Sequence, residues 1–554
     1  MKADRLVLIG AMGAGKTTVG ERLAADRGWA FLDLDGEVER EEGRSVAQLF
    51  AERGETGFRD LESRCLRRLV ATAGPWVLAC GGGAVLREEN RELLRAAGPV
   101  VWLQAPPAEL ARRVGELPGR QRPLLAGPGE VSARLGQLLD ERGAAYGATA
   151  DLAVPTAGCT PARVSDEIRG WLDAGPPPRW TSHAEGGRRL WVPATPEPYP
   201  IEIGKDVGQF GPLLRERLPE VRRVALLTDR TVGRLYGEAL EQSLTRQGIA
   251  STSFVLEPGE QSKRLETLAR IWDWFAEQEL DRTTPVVALG GGVVSDLAGF
   301  AAATWQRGIP WAVVGTTLLA QVDASVGGKT GIDHISGKNR IGAFYAPRLV
   351  FLPLGTLRTL PARELRAGLA EVVKTAVIGD PVLFQQCRRL TGETAADEAV
   401  LPELVARAIL VKARVVAADE REQGLRRRLN LGHTLGHALE AASLTTASPL
   451  LHGEAVALGL VAATRLGRQQ GVLPADEATQ IVELLAQLQL PVELEDWRAR
   501  MAEGGGMRWL RADKKRRGGR IAFQIPEAIG RVTEQWLTPE EIAMGLDLTG
   551  GGVR

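Results

Sequence analysis

The residues Gly10-Ala11-Met12-Gly13-Ala14-Gly15-Lys16-Thr17-Thr18 have the types and spacing to hold a nucleoside triphosphate. They fit Gly-x4-Gly-Lys-Thr between the apolar run Leu6-Val7-Leu8-Ile9 and a helical stretch. The glycines let backbone N–H groups wrap phosphates, Lys16 reaches the outer phosphates, and Thr17 offers a hydroxyl to Mg2+. ATP with Mg2+ is the ligand this implies. Ala30-Phe31-Leu32-Asp33-Leu34-Asp35 reads as a second buried strand whose two carboxylates face one side, one for Mg2+ and one to accept hydrogen bonds from a polyol. Beyond Gly54-Glu55-Thr56-Gly57-Phe58-Arg59, a third strand, Trp76-Val77-Leu78, runs into Ala79-Cys80-Gly81-Gly82-Gly83, where three glycines allow close backbone approach to a ligand.

A second set of signals lies further along. Val286-Val287-Ala288-Leu289-Gly290-Gly291-Gly292-Val293-Val294-Ser295-Asp296 reads as a buried strand, a glycine turn and a helix start, a place where a pyrophosphate sits against free N–H groups and the helix dipole. The stretch from Thr316 to Lys329, followed by Gly337-Lys338-Asn339, is too dense in polar groups and glycines for a simple core strand. Of five histidines, three fall within twenty residues, His433, His437 and His452, and Glu371 lies upstream in Gly368-Leu369-Ala370-Glu371-Val372-Val373-Lys374. Spacing alone favours His433 and His437 as a ligand pair, one helical turn apart on one face. Two or three imidazoles with a carboxylate and an open position describe a catalytic zinc site.

The elements that must carry these groups point to an α/β fold class. A length of 554 residues suits about three to four domains. The expected division is a phosphate-loop domain with a parallel sheet at 1–172, a Pro/Gly-rich linker at 173–189, a nucleotide-binding α/β domain at 190–355 and a mostly helical domain at 356–554. Gly175-Pro176-Pro177-Pro178 marks the linker, since three prolines suit neither a helix nor an inner strand. Ala455 to Arg468 and Glu477 to Leu488 carry helical patterns. No run of about 18 uncharged apolar residues occurs, so no membrane span is expected. The first strand begins at once, which leaves no room for a secretory or transit peptide. Four scattered cysteines, Cys65, Cys80, Cys159 and Cys387, suit thiols in a reducing cytoplasm. Lys plus Arg equals Asp plus Glu at 69 each, which gives no electrostatic reason to expect a nucleic-acid partner.

Residues 1 to about 172 resemble shikimate kinase, through the phosphate loop, the acidic pair, Phe58-Arg59 and the triple glycine. The resemblance implies that Asp35, Arg59, Gly81, Gly82, Gly83 and Arg142 bind shikimate, with Lys16 and Asp35 catalytic and Thr17 and Asp33 on the magnesium side. Gly119-Arg120-Gln121-Arg122-Pro123-Leu124-Leu125 looks like the family's lid, with Arg122 closing over the nucleotide phosphates. A guanidinium fork suits a planar carboxylate, which makes Arg59 and Arg142 apt together. Ala144 and Ala148 depart from the family's usual proline and glutamate.

Residues of roughly 195 to 535 resemble 3-dehydroquinate synthase. The phrases that carry this are Pro258-Gly259-Glu260-Gln261-Ser262-Lys263, the Gly290 to Asp296 turn, Arg307-Gly308, Thr316 to Lys329, Lys338-Asn339, Thr359-Leu360-Pro361, Leu429 to His437 and His452-Gly453-Glu454-Ala455-Val456. The resemblance makes Glu371, His433 and His452 the ligands of Zn2+ (or Co2+) and leaves His437 as a pocket residue. NAD+ is to be held by Asp229, Pro258 to Lys263, Gly292, Val293, Val294, Ser295, Asp296, Thr316, Thr317, Lys329, Lys338, Thr356, Leu357, Arg358 and Thr359. Arg307, Asp323, Lys329, Asn339, Lys374, Lys412, Arg426, Asn430 and His437 surround the substrate, with Lys329, Lys374, Lys412 and His437 catalytic. The basic loop Asp513-Lys514-Lys515-Arg516-Arg517 reads by itself as a solvated charged surface, and the resemblance implies a phosphate-facing lysine in it. Gly315, Ala324, Ser295 and Pro353 depart from the family pattern but leave the charged groups in place.

Together these imply a bifunctional cytoplasmic enzyme of aromatic biosynthesis. One half phosphorylates shikimate with ATP. The other converts 3-deoxy-arabino-heptulosonate 7-phosphate to 3-dehydroquinate by an oxidation later undone, with phosphate eliminated in between. A different sugar-phosphate cyclase would keep nearly every phrase of the second half; a zinc polyol dehydrogenase would lack its lysine set. Small molecules are the expected partners, and a homodimer through the synthase half is compatible with the resemblance.

Overall fold

The structure is a computed structural model that describes residues 4–116, 131–173, 180–182, 187–195, 197–335, 337–390, 400–444, 446, 448–495, 497, 510 and 516–544. It divides into two compact units, Met1–Pro177 with Gly379–Val382, and Pro178–Ile378 with Leu383–Arg554. The lid arginine Arg122 and the lysines Lys514 and Lys515 lie outside the described residues.

The first unit is built on a five-stranded parallel sheet. Its strands are β1 (Arg5–Ile9), β2 (Ala30–Asp33), β3 (Trp76–Ala79), β4 (Val100–Gln104) and β5 (Leu152–Pro155), in the order β2-β3-β1-β4-β5. The inner strands are apolar apart from Arg5 and Gln104 at their ends, because helices cover both faces of such a sheet, and Leu6, Val7, Leu8 and Ile9 are fully buried. β1 has β3 on one side and β4 on the other, so the chain reverses direction across the sheet there, and a crevice opens beyond the carboxyl end of β1. The phosphate loop and the Gly81–Gly83 loop both leave the sheet at that point. Their strands are in register, and Cys80 N donates to Leu8 O.

One expected strand is shorter than its pattern. β2 stops at Asp33, and Asp35 sits in the first turn of the helix Leu34–Glu42. Asp33 is that helix's N-cap and accepts from Gly36 N at 3.1 Å, so the period-two argument for the two carboxylates does not apply. β2 is also an edge strand, only partly buried.

The second unit carries an eight-stranded sheet, in which the expected linker is partly absorbed. β6 (Trp180–Ser182) and β7 (Arg188–Val192) fall inside 173–189 or straddle its end, and they form an antiparallel border with β8 (Tyr199–Gly204). Trp180, Thr181 and Ser182, just after the proline run, pair with β7 as the edge of the sheet. Parallel to β8 run β9 (Arg223–Asp229), β10 (Ala250–Leu256), β11 (Val286–Gly290), β12 (Trp311–Gly315) and β15 (Leu349–Pro353), giving the order β10-β9-β11-β12-β15-β8-β7-β6 once the separate hairpin β13 (Lys329–His334) and β14 (Gly337–Phe344) is counted.

From Ala362 onward helices dominate: Ala362–Gly379, Leu401–Ala418, His433–Ser443, His452–Gln469 and Ala475–Gln487. The last two contain the helical patterns read from the sequence. A three-stranded antiparallel sheet of β16 (Arg516–Arg517), β17 (Arg520–Ala528) and β18 (Arg531–Leu537) interrupts the expected helical region. Its inner face joins the same apolar core as the helices and the large sheet, through Ile521, Phe523, Ile525 and Val532. Both sides of residue 355 fall within one compact unit.

Candidate active sites

In the first unit the phosphate loop ends at Gly15, whose φ of 95° only glycine adopts without strain and which caps the helix Lys16–Arg27 without a side chain. The N–H groups of that first turn are thereby left for an anion. Lys16 Nζ donates to the loop's own carbonyls, Gly10 O at 2.8 Å and Ala11 O at 2.9 Å, which holds the ammonium over the phosphate cradle. Thr17 Oγ1 donates to Asp33 Oδ2 at 3.2 Å, so the hydroxyl and carboxylate expected around Mg2+ are adjacent.

The shikimate candidates converge on the triple glycine. A methyl group on Gly81 would overlap the Asp35 carboxylate, and one on Gly83 would overlap the Arg59 guanidinium. One on Gly82 would lie 3.4 Å from Tyr146 Oη and 3.6 Å from Arg142 NH1. Arg142 and Tyr146 are buried one turn apart on the helix Val131–Thr149. Tyr146 donates to Gly82 O at 2.5 Å.

Glu62, which the sequence reading passed over, is fully buried and bonds Arg59 NH1 at 2.9 Å, while Arg59 NH2 bonds Glu55 at 3.1 Å. Burial, with some help from Asp35, holds the Glu62 carboxyl up at about 7 against the pull of Arg59. Its signal was present: it follows Arg59 by three residues on one helix, the spacing of a facing pair.

In the second unit the NAD+ candidates share one edge. Asp229 ends β9, Pro258–Lys263 follows β10, Gly291–Asp296 follows β11, Thr316–Thr317 follows β12 and Thr356–Thr359 follows β15. All of these strands are parallel, so their carboxyl ends line one rim. The Thr316 hydroxyl is buried there without a hydrogen-bond partner among the described residues, a donor a ligand would satisfy. Lys263 Nζ donates to Asp296 Oδ2 and Asn339 Oδ1, each at 2.5 Å. Asn339, expected around the substrate, thus stands with the NAD+ candidates.

Beside that rim, helices bring together the metal candidates. Glu371 Oε1 lies 3.4 Å from His433 Nε2 and 3.5 Å from His452 Nε2. His437 joins them, since one ligating atom from each of the three histidines falls within 4.8 Å of the others. His433 Nδ1 faces Leu431 O at 3.1 Å and His452 Nδ1 faces Glu440 Oε2 at 3.4 Å, which turns both Nε2 atoms toward Glu371. Burial draws His433 down to about 3, whereas on His452 the same burial is outweighed by Glu371 and Glu440, which push it up to about 10. Two imidazole nitrogens and a buried carboxylate at this spacing fit a divalent metal of the zinc kind.

Next to the metal candidates, Lys374 Nζ is 2.5 Å from Glu371 Oε2 and 3.7 Å from Asp323 Oδ1, and Lys412 Nζ is 2.5 Å from that same Asp323 atom. Lys329 and Asn430 both bond the carboxylate of Glu422, at 2.7 Å each, another residue the sequence reading missed. Two further substrate candidates are arginines. Buried Arg426 donates to Gly327 O at 2.9 Å and Glu420 O at 2.5 Å, and so braces the loop before Lys329. Arg307 is exposed and follows the carboxyl end of the helix Gly292–Thr304, about 20 Å of helix from the glycine turn.

Residues 12–173 match the family model described as shikimate kinase, 253–367 that of 3-dehydroquinate synthase N-terminal, and 368–516 that of 3-dehydroquinate synthase C-terminal. The 3-dehydroquinate synthase of Symbiobacterium thermophilum is 46% identical over 355 residues, covering 63% of this chain and 98% of the relative. That of Geobacter metallireducens is 48% identical over 310 residues, 56% of this chain and 84% of the relative. Among solved structures, 2-epi-5-epi-valiolone synthase from Streptomyces hygroscopicus, with NAD+ and Zn2+ bound, is similar with a TM-score of 0.55 and 29% identity, covering 63% of this chain and 95% of that one. Among the described residues no helix is long and apolar enough to cross a membrane.

Proposed function

The chain belongs to the 3-dehydroquinate synthase family, with a shikimate kinase domain ahead of the synthase, and on that premise we propose which residues run each reaction. The kinase half transfers the terminal phosphoryl group of ATP to shikimate. The synthase half converts 3-deoxy-arabino-heptulosonate 7-phosphate to 3-dehydroquinate with release of phosphate.

In the kinase, Gly10 to Thr18 cradle the triphosphate, Lys16 neutralises charge developing on the transferred group, and Thr17 with Asp33 holds Mg2+. Asp35 accepts hydrogen bonds from the ring hydroxyls and orients the attacking one. Arg59 and Arg142 fork the shikimate carboxylate against the Gly81–Gly83 backbone.

In the synthase, Glu371, His433 and His452 hold the metal, and the rim from Asp229 to Thr359 holds NAD+. When bound, the metal supplies Lewis acidity at the substrate's hydroxyl oxygen and NAD+ supplies a hydride acceptor whose hydride is returned within the turnover. Lys374 and Lys412, fixed by Asp323, present positive charge to the substrate's phosphate and carboxylate. Lys329 and Asn430, held by Glu422, close the other side, and His437 is placed to move a proton at the ring. The observation that carries this reading is the convergence of Glu371, His433 and His452 with Lys374, Asp323 and Lys412 beside the nucleotide rim. A homodimer through the synthase half and a cytoplasmic setting, which suits four free thiols, belong to the same proposal.

The test is a double dissociation in the full chain. Lys16→Ala is expected to lower shikimate phosphorylation by about a hundredfold or more while phosphate release from the heptulosonate continues near normal. His452→Ala is expected to do the reverse and to lose zinc by metal analysis, whereas His437→Ala keeps the metal. Loss of both activities from either change in a folded chain, or retention of zinc by His452→Ala but not His437→Ala, contradicts the assignment.

A further inference from the structure

Glu440 has no part in the division of labour above, yet its carboxylate stands between the two ligand sites of the synthase. It is buried on the helix His433–Ser443, three residues beyond His437. Oε2 faces His452 Nδ1 at 3.4 Å, and Oε1 accepts from Lys338 Nζ at 2.9 Å. Lys338 comes from β14, and the same ammonium lies 3.1 Å from Glu260 Oε1, in the turn after β10 that belongs to the nucleotide rim. A continuous row of charged and ring groups therefore runs from Glu371 through His452, Glu440 and Lys338 to Glu260.

Each contact fixes a rotamer that the next one needs. Glu440 occupies His452 Nδ1 and so leaves Nε2 for the cluster, 3.5 Å from Glu371 Oε1. The Glu440 carboxylate is itself held by Lys338, which must remain within reach of both acids. Lys338 is expected by resemblance to touch NAD+; here its ammonium is engaged by two carboxylates, one from each side. A ligand that orders the Glu260 turn thus acts on the same lysine that orients the acid behind His452.

We propose that Glu440 is a positioning residue that aims His452 at the metal and, through Lys338 and Glu260, couples metal occupancy to NAD+ binding. The proposal rests on the reading of these sites as metal and NAD+ sites. Coupling of two binding sites is reciprocal, so each ligand must change the other's affinity by one factor.

The experiment measures zinc affinity of the full chain by competition with a chromogenic chelator, with and without NAD+, and NAD+ affinity by titration with and without zinc. The unsubstituted chain is expected to bind each ligand about fivefold or more tighter in the presence of the other. Glu440→Gln keeps the shape and removes the charge; it is expected to weaken zinc about 10- to 100-fold and to bring the coupling factor to about one. Lys338→Met is expected to abolish the coupling and to weaken zinc less than Glu440→Gln does, because Glu440 still faces His452; with its NAD+ affinity in the absence of zinc measured alongside, it carries the test alone if the metal-free thermal midpoint of Glu440→Gln shows a damaged fold. Coupling absent from the unsubstituted chain, coupling that survives in Lys338→Met, or zinc affinity unchanged in a well-folded Glu440→Gln overturns the proposal. Failure of the reaction assignment would show separately, as absent phosphate release in a chain that still binds zinc and NAD+ with coupling.

Discussion

The positive charge of Arg59 is shared among Glu55, the buried Glu62 and, in the proposed complex, the substrate carboxylate. With Glu62 poised at about 7, the balance between them shifts in the ordinary working range. Below that pH Glu62 is increasingly neutral and Arg59 is freed for shikimate; above it the ionised acid competes. The KM for shikimate is therefore expected to rise as pH increases through about 7, by up to roughly tenfold if one charge-assisted hydrogen bond of about 1.5 kcal/mol is at stake. Glu62→Gln should flatten the profile, and a slope that persists in that variant contradicts the role. At this scale the sequence was informative wherever a motif names its own chemistry, as at Lys16, Thr17 and His433. It was least informative for acids that act on another residue. Glu62, Glu422 and Glu440 have no motif, and their meaning comes from which cation or ring the fold sets against them. Asp35 was legible as a candidate although its place in the first turn of a helix was not, because its partners depend on the loop at Gly81 and not on β2.

The ligand geometry of the synthase depends on how closely three helices approach. Gly459 on the helix His452–Gln469 packs against the backbone of Gly432, where an added methyl would overlap the Gly432 carbonyl. That contact lies one residue before His433 and seven after His452, so it sets the distance between the two ligands. Gly459→Ala must push these helices apart, and overpacking of this kind costs about 1–3 kcal/mol. The expected result is a lower thermal midpoint together with zinc loss at least tenfold easier under chelator; unchanged zinc affinity in a destabilised chain would show that the site tolerates the shift. Helices such as His452–Gln469 were legible because their apolar period is long. The sheet β16-β17-β18 was not read, although Ile521, Phe523 and Ile525 alternate in the manner of a strand. A short alternating run after a long helical region loses to the surrounding pattern.

Two catalytic units on one chain need not share substrates, and each unit has its own apolar core. The two compact units divide at Pro177–Pro178, within the proline run, while the residues just after it are recruited as a sheet border, a tertiary choice that composition does not encode. The central claim concerns the larger unit: its NAD+ is borrowed and restored within one turnover. With the heptulosonate phosphate in large excess over NAD+, free phosphate and the absorbance of reduced nicotinamide are followed together in the full chain. The account predicts phosphate accumulating far beyond the NAD+ supplied while NADH stays below the enzyme concentration. Stoichiometric NADH without phosphate would contradict it and assign the unit to the polyol dehydrogenases.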